Sequence, residues 1–161
     1  MIDLQHVTYT FADGRQPALK DVTWQAAAGE FVLVTGASGS GKSTLLRLLN
    51  GLVPHFTGGR LVGRVQVNGQ DVVAVGPAAM SRSVGFVRQT PEAQSVLDRV
   101  AAEVAFGLEN QAVPPAEMRV RVGEALALLG LTALRHRLIH ELSGGEQQKV
   151  AIAAALALRP S

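Results

Sequence analysis

The stretch Leu33–Leu46, LVTGASGSGKSTLL, lies between an apolar run and an apolar helical pattern. Residues 36–43 match G-x-x-x-x-G-K-[ST], a loop that binds nucleotide phosphates when a strand precedes it and a helix follows it. The run at 30–36 has the length and apolar content of a strand buried on both faces of a parallel sheet. The segment after Ser43 predicts a buried helix that ends at Asn50-Gly51. The stretch therefore predicts a nucleotide-binding loop between a strand and a helix.

The residue types of this loop suit a triphosphate. Glycines let the backbone approach a phosphate closely, and the following helix supplies free N–H groups and a partial positive charge. Lys42 is predicted to contact the β- and γ-phosphates, and the Ser43 hydroxyl to bind Mg²⁺. A chance match in a glycine-rich turn is the alternative, which the flanking strand and helix patterns disfavour. The predicted nucleotide-binding residues of the loop are Gly36, Ala37, Ser38, Gly39, Ser40, Gly41, Lys42, Ser43 and Thr44.

The composition narrows the class of protein. The chain has 161 residues, of which 47% are apolar and 17% are charged. Because an average soluble domain has roughly 25% charged residues, the low value indicates apolar surface that meets a partner or a further part of the chain. A net charge of +2 does not predict nucleic-acid binding, and the lack of cysteine excludes disulfides and thiolate metal sites. No signal-peptide pattern and no run of ~20 apolar residues occurs, so we expect a cytoplasmic chain.

Strand patterns dominate the first half of the chain and helix patterns the second. Apolar runs predict strands at 2–11, 18–26, 62–72 and 83–89, with an Asn-Gly turn inside the third of these segments. From Pro91 the pattern is helical, beginning with an i+4 repeat of Val96, Val100 and Val104. A further helix is predicted to start at Pro114–Met118 and to stop at Gly130. Its apolar stripe consists of Met118, Val122, Ala125, Leu126 and Leu129.

A second motif, LSGGEQQ at Leu142–Gln148, precedes an apolar helix. Ser143 with Glu146 three residues later forms a capping box, which by itself predicts only a helix start. The phosphate loop by itself leaves kinases, GTPases, helicases and transport ATPases open. Together, the two motifs resemble those of the nucleotide-binding subunits of ATP-binding cassette (ABC) transporters, in which LSGGE or LSGGQ is the signature sequence.

This resemblance implies a fold and an organisation. The fold is an α/β P-loop NTPase of the ABC cassette class, with an N-terminal antiparallel β subdomain, a parallel-sheet core and an α-helical subdomain. The implied parts are an α/β core with its β subdomain at 1–90, a helical subdomain at 91–140, and the signature with its helix at 141–161. Gln89 matches the Q-loop glutamine, and Phe11 matches the aromatic residue that stacks on adenine, with Tyr9 as the alternative.

The resemblance also implies partners and a catalytic arrangement. Two ATPase subunits, identical or related, pack head to tail with ATP and Mg²⁺ between them, each loop facing the other subunit's signature. The implied catalytic residues are Lys42 and Gln89, and the implied metal ligands are Ser43 and Gln89. The implied nucleotide-contacting residues of the signature are Ser143, Gly144, Gly145 and Glu146.

A closer resemblance lies in two longer segments, residues 50–72 and 84–110. Both look like the ATPase subunits of energy-coupling factor (ECF) transporters, which power the uptake of vitamins and of cobalt or nickel ions. This resemblance implies a peripheral position on the cytoplasmic face of the membrane. It also implies a membrane coupling subunit that docks around 94–107 and a substrate-binding membrane subunit.

One part of the family pattern is not found in the sequence. In the family a buried strand ending in Asp-Glu, and later a histidine, follow the signature helix, whereas no carboxylate follows Glu146 here. We therefore expect a core that is incomplete at its C-terminus, and a chain that binds ATP without hydrolysing it. Two alternatives stay open at this stage: a non-catalytic nucleotide-binding fragment, and a soluble ABC ATPase acting in translation or DNA repair.

Overall fold

A computed structural model describes residues 1–90 and 95–161 of the chain. The contacts divide these residues into two compact units, Met1–Val84 together with Ser161, and Gly85–Pro160. Each unit has a hydrophobic core of its own. The predicted start of the helical pattern at Pro91 and the start of the docking segment at Gln94 lie outside the described residues.

The first unit contains a four-stranded antiparallel sheet. Its strands are β1 (Ile2–Thr10), β2 (Leu19–Ala26), β3 (Arg60–Val67) and β4 (Gln70–Asp71), in the order β2-β1-β3-β4. Leu4, Val7 and Tyr9 of β1 pack into the core, and register shifts against both neighbouring strands interrupt the predicted alternation between Leu4 and Val7. An Asn-Gly turn joins β3 to β4. The predicted antiparallel β subdomain is therefore confirmed.

Three helical segments complete the first unit. They are α1 (Lys42–Leu49), α2 (Leu52–His55) and α3 (Val72–Met80), the last with a break in helical geometry at Gly76. Helix α1 ends at Leu49 and is capped by Asn50, which is followed by Gly51 at φ 77°, so the helix stops at the predicted Asn-Gly pair. The helix is less buried than its composition predicts, because only Leu48 and Leu49 are buried, whereas Leu46 is 47% exposed.

The predicted parallel-sheet core is not formed among the described residues. Residues 30–36, predicted to be a buried strand, have no strand assignment, and the side chain of Phe31 is 93% exposed and that of Leu33 77% exposed. The predicted strand at 83–89 is also not assigned as a strand. Both predictions rest on apolar composition, whereas a strand is stabilised by the backbone hydrogen bonds of a neighbouring strand. Within the described ranges, neither run lies in such a ladder.

The second unit is helical. Its elements are α4 (Val100–Asn110), α5 (Pro115–Leu128) and α6 (Gly144–Ala157), with short 3-10 turns at Thr132–Leu134 and Ile139–Glu141. Helix α5 starts at the predicted prolines, and the predicted stripe packs into the core of this unit. Val96 was predicted on the same helix as Val100, but α4 begins only at Val100 and Val96 is 62% exposed. No helix in the described part of the chain is long and apolar enough to cross a membrane.

Candidate nucleotide-binding site

The lysine of the phosphate loop folds back over the loop. Lys42 Nζ donates hydrogen bonds to the Gly36 carbonyl at 2.8 Å, the Ala37 carbonyl at 2.7 Å and Ser40 Oγ at 3.3 Å. None of these acceptors carries a formal charge, and no carboxylate among the described residues forms an ion pair with Lys42. An anionic ligand in the loop would therefore meet an ammonium group whose charge no described carboxylate neutralises.

The end of the loop is held against the sheet at Gly41. Its backbone has φ 90°, and a Cβ at this position would lie 2.4 Å from the Ala18 carbonyl oxygen and 3.1 Å from Leu19 Cδ2. Only glycine combines this conformation with so close an approach of two backbones. The start of α1 is consequently fixed beside the start of β2.

The N-terminus of α1 follows directly. Gly41 gives it no side-chain cap, and its first turn contains no acidic residue. The first N–H groups of α1 therefore lack an internal partner and favour an anion. Ser43 lies exposed in this turn and Thr44 is half-buried. The other predicted loop residues are Ala37, Ser38, Gly39 and Ser40, which form an exposed turn closed by a hydrogen bond from Ser40 N to the Ala37 carbonyl at 3.2 Å.

The two aromatic candidates for base stacking differ in accessibility. Tyr9 is fully buried, and its hydroxyl lies 2.8 Å from Thr57 Oγ1 and donates to the Gly58 carbonyl at 2.7 Å. Phe11 packs against the Tyr9 ring at a centroid distance of 4.9 Å and an interplanar angle of 77°, and it is partly exposed. Phe11 is therefore the aromatic side chain that a ligand can reach.

Phe11 and the phosphate loop lie at the same end of the β1–β2 hairpin. Ala18 N donates to the Tyr9 carbonyl at 2.8 Å, which closes the hairpin loop that carries Phe11. The same Ala18 residue supplies the carbonyl oxygen against which Gly41 packs. The first unit thus brings together the predicted stacking residue and the predicted phosphate-binding residues.

The signature residues lie in the second unit, at the start of α6. Ser143 caps the helix: its Oγ accepts from Glu146 N at 3.4 Å, while Glu146 Oε2 accepts from Ser143 N at 2.8 Å and from Ser143 Oγ at 2.7 Å. Gly144 and Gly145 are exposed, and a Cβ on either would meet nothing within 4 Å. The predicted capping box is present, and the surface in front of it is open.

The capping box makes the stability of α6 depend on pH. The hydrogen bonds from the Ser143 hydroxyl and backbone hold the pKa of the Glu146 carboxyl below its ordinary value. Because the folded-state pKa lies below the unfolded-state pKa, the ionised carboxyl stabilises the fold at pH values above its ordinary pKa. This stabilisation is lost as the pH falls through the lowered pKa of the folded state.

We expect Glu146→Gln to flatten the acid limb of the plot of urea-unfolding free energy against pH. Glu109→Gln, which changes an exposed residue of α4 and serves as the control, should leave the acid limb unchanged. Equal acid limbs for Glu146→Gln and the unsubstituted chain would contradict this role.

The Mg²⁺ ligands implied by the resemblance are oxygen donors of a suitable kind. Ser43 offers an exposed hydroxyl in the first turn of α1, and Gln89 is an exposed residue of the second unit that carries an amide oxygen. Mg²⁺ bound with a nucleotide takes few protein ligands and several phosphate or water oxygens, so a hydroxyl and an amide oxygen are each suitable donors. Among the described residues there is no group of three or more His, Cys, Asp or Glu residues placed to hold a metal without a nucleotide.

Glu103 carries a buried carboxylate that sequence analysis missed. Glu103 is 7% exposed, and its Oε2 accepts hydrogen bonds from Val96 N at 2.9 Å and Leu97 N at 2.8 Å. It therefore holds the segment before α4 in a non-helical conformation, which explains why Val96 is not part of the helix. The available signal was an acidic residue between Val100 and Val104, on the apolar stripe of α4.

Comparison with known proteins identifies the family. The model of the ABC transporter family matches residues 19–161, which include both the phosphate loop and the signature. The chain belongs to this family. An ABC transporter ATP-binding protein of Streptomyces coelicolor is 46% identical over 160 residues, or 99% of this chain and 28% of that protein. An ECF transporter ATP-binding protein of Lacticaseibacillus paracasei is 44% identical over 99% of this chain and 56% of that protein.

Solved ABC cassettes have the same fold. CbiO1 from Clostridium perfringens, part of the ABC transporter complex CbiONQ, aligns with a TM-score of 0.84 and 31% identity, over 99% of this chain and 62% of that one. A dimeric cassette in a post-hydrolysis state, bound to ADP and phosphate, aligns with a TM-score of 0.83 and 32% identity, over 99% and 71%. The predicted ABC cassette class is confirmed. The chain spans about a quarter to about a half of the length of the two curated relatives.

Proposed function

We propose that this chain is the ATP-binding part of an ECF-type importer ATPase, which couples ATP binding and hydrolysis to the uptake of a vitamin or a metal ion. The observation that carries the ATP-binding part of the proposal is the ammonium of Lys42, which forms no ion pair within the described ranges, at the anion-favouring start of α1. The similarity to an ECF transporter ATPase and to CbiO1 supports the importer type. It also supports two membrane partners, a coupling subunit and a substrate-binding subunit, and a position on the cytoplasmic face of the membrane.

The chain would contact both ends of the ATP molecule, its triphosphate and its base. The triphosphate would displace the Gly36 and Ala37 carbonyls from Lys42 and accept hydrogen bonds from the loop and from the start of α1, while the base stacks on Phe11. Mg²⁺ would take the Ser43 hydroxyl and the Gln89 amide oxygen as ligands and would neutralise phosphate charge. Gln89 has a second proposed role, in orienting the attacking water.

A second copy of this chain, or a related ATPase chain, would close the site. The start of α6 is exposed at Gly144 and Gly145, whose N–H groups are not used by the Ser143–Glu146 capping box and can bind an anion supplied by another subunit. We place the γ-phosphate of the partner's ATP against Ser143, Gly144, Gly145 and Glu146. ATP would then stabilise a head-to-tail dimer, and hydrolysis would weaken it.

For these 161 residues by themselves, we propose ATP binding without turnover. The first turn of α1 contains no acidic residue, so no carboxylate beside Lys42 and Ser43 in that turn can act as a general base. Lack of a general base lowers a rate by about 10²–10⁴-fold. The domain boundaries proposed with this function are 90/91 and 140/141.

ATP-dependent dimerisation of a signature variant tests the proposed function. Gly145→Asp adds a carboxylate to an open helix start, where its Cβ meets no atom within 4 Å, so folding is retained. We expect the variant to bind Mg-ATP with unchanged affinity by calorimetry, and to remain a monomer by light scattering when the unsubstituted chain dimerises. Repulsion between the new carboxylate and the partner's γ-phosphate is the reason.

The matched control is Gly123→Asp on α5, because a Cβ there also meets nothing within 4 Å. This variant should bind ATP and dimerise like the unsubstituted chain. Failure of the unsubstituted chain to bind Mg-ATP would contradict the nucleotide-binding role. ATP binding without dimerisation of the unsubstituted chain would contradict the sandwich and leave the phosphate loop's role standing.

A further inference from the structure

We propose that Arg60 contacts the base of the bound nucleotide and makes the site selective for purine nucleotides over inorganic polyphosphate, which has no base. This inference deepens the proposed function and rests on it. The observation behind it is an open depression of about 410 Å³ at the end of β1, lined by Thr10, Phe11, Ala12, Gly14, Gly59 and Arg60. An aromatic residue and an arginine therefore line one concave surface.

The backbone places Arg60 beside Phe11. Arg60 is the first residue of β3 and pairs in register with Thr10, the last residue of β1. The Tyr9 hydroxyl binds the preceding turn at Thr57 and Gly58. The backbone at Arg60 is thereby held by the pairing of β3 with β1 on one side and by the turn at Thr57 and Gly58 on the other.

Gly59 allows this turn to approach β1. Its φ is 92°, and a Cβ there would lie 2.3 Å from the Thr10 carbonyl oxygen and 3.1 Å from the Phe11 Cα. A side chain at this position would fill the floor of the depression and push β3 away from β1. Glycine therefore keeps the concave surface open between Phe11 and Arg60.

The charge of Arg60 is free to act on a ligand. The residue is exposed, and its guanidinium forms no ion pair or side-chain hydrogen bond with any part of the chain that the structure describes. Guanidinium N–H groups donate to ring nitrogens and carbonyl oxygens, and a purine presents several such acceptors around its edge. The flat face of the same purine can stack on an aromatic ring.

The position of the depression favours a nucleotide over an unrelated ligand. Phe11 follows β1, and the hairpin loop that carries it is closed at Ala18, the residue against which Gly41 of the phosphate loop packs. One molecule with an anionic end and a flat nitrogen-rich end fits both features. A polyphosphate without a base would use the loop alone.

The test compares ATP with inorganic tripolyphosphate on the full chain. Calorimetric dissociation constants are measured for the unsubstituted chain, for Arg60→Ala and for Arg64→Ala. Arg64 is an exposed arginine of the same strand and serves as the matched control. We expect Arg60→Ala to weaken ATP binding about tenfold, the size of a hydrogen bond from a charged donor, and to leave tripolyphosphate binding unchanged. Arg64→Ala should change neither.

Other measured affinities would contradict either the base contact or the proposed function. Unchanged ATP affinity of Arg60→Ala would overturn the base contact. Equal weakening of ATP and tripolyphosphate would also overturn it, because it would indicate general charge attraction or a structural effect. If the unsubstituted chain binds neither ligand, the proposed function itself fails. If it binds both with equal affinity, the phosphate loop's role stands and the base site fails. Arg60→Lys keeps the charge and serves as a second variant if Arg60→Ala proves unstable.

Discussion

Lys42→Ala is expected to raise the dissociation constant of Mg-ATP about 100-fold. The ammonium group makes no ion pair within the described ranges, and the uncharged oxygens that it contacts belong to the same loop. A triphosphate would replace them with charged acceptors, and each hydrogen bond between charged groups is worth about 1.5–3 kcal/mol. The loss of about 2.7 kcal/mol corresponds to the expected factor. Isothermal titration calorimetry measures it directly.

The control for this prediction is Lys20→Ala, which removes an exposed lysine from β2 in the same unit. It changes the net charge equally and should leave the ATP affinity within about twofold, because exposed charges are screened by salt. If both variants weaken ATP binding equally, the loss of affinity comes from the change in net charge. If Lys42→Ala retains full affinity, the Lys42 ammonium does not bind the phosphates.

Gly41→Ala is expected to destabilise the first unit by about 3 kcal/mol or more and to abolish ATP binding. The new Cβ would lie 2.4 Å from the Ala18 carbonyl oxygen, in a backbone with φ 90°. Left-handed backbone at a residue other than glycine costs about 1–3 kcal/mol, and the clash with another backbone adds overpacking strain of similar size. Urea unfolding followed by circular dichroism gives the loss of stability.

Gly39→Ala separates the cost of a left-handed backbone from the cost of a clash with another backbone. Its φ is 79°, but a Cβ there would meet nothing within 4 Å. This variant should lose only the conformational term, about 1 kcal/mol, and should keep its fold. Equal losses for the two variants would contradict the claim that contact with β2 fixes the start of α1.

Local sequence patterns predicted those parts of the fold that local interactions determine. The alternation of β1 requires only one buried face, the Asn-Gly turn determines the β3–β4 hairpin, and the Ser143–Glu146 box caps its helix within four residues. The phosphate loop is equally local, because its glycines, lysine and helix start are consecutive in the chain. For these elements the sequence contained nearly all of the relevant physical chemistry.

The remaining features depend on residues distant in the chain. Residues 30–36 have the composition of a buried strand, but composition cannot supply the neighbouring strand that would pair with them. Glu103 lies on an apolar helix stripe, and its role follows from the N–H groups of Val96 and Leu97, which no helical period predicts. The sequence leaves Tyr9 open as a stacking residue, whereas the hydroxyl of Tyr9 is bound to Thr57 and Gly58, 48 and 49 residues away in the chain.

We propose that two chains share each ATP, one through its phosphate loop and the other through its signature. The most direct measurement is light scattering of an equimolar mixture of Lys42→Ala and Gly145→Asp chains with Mg-ATP. Neither variant should dimerise by itself, whereas the mixture should form one intact composite site and reach twice the chain mass of 16.9 kDa. A mixture that stays monomeric where the unsubstituted chain dimerises, or either variant dimerising by itself, would contradict the shared site.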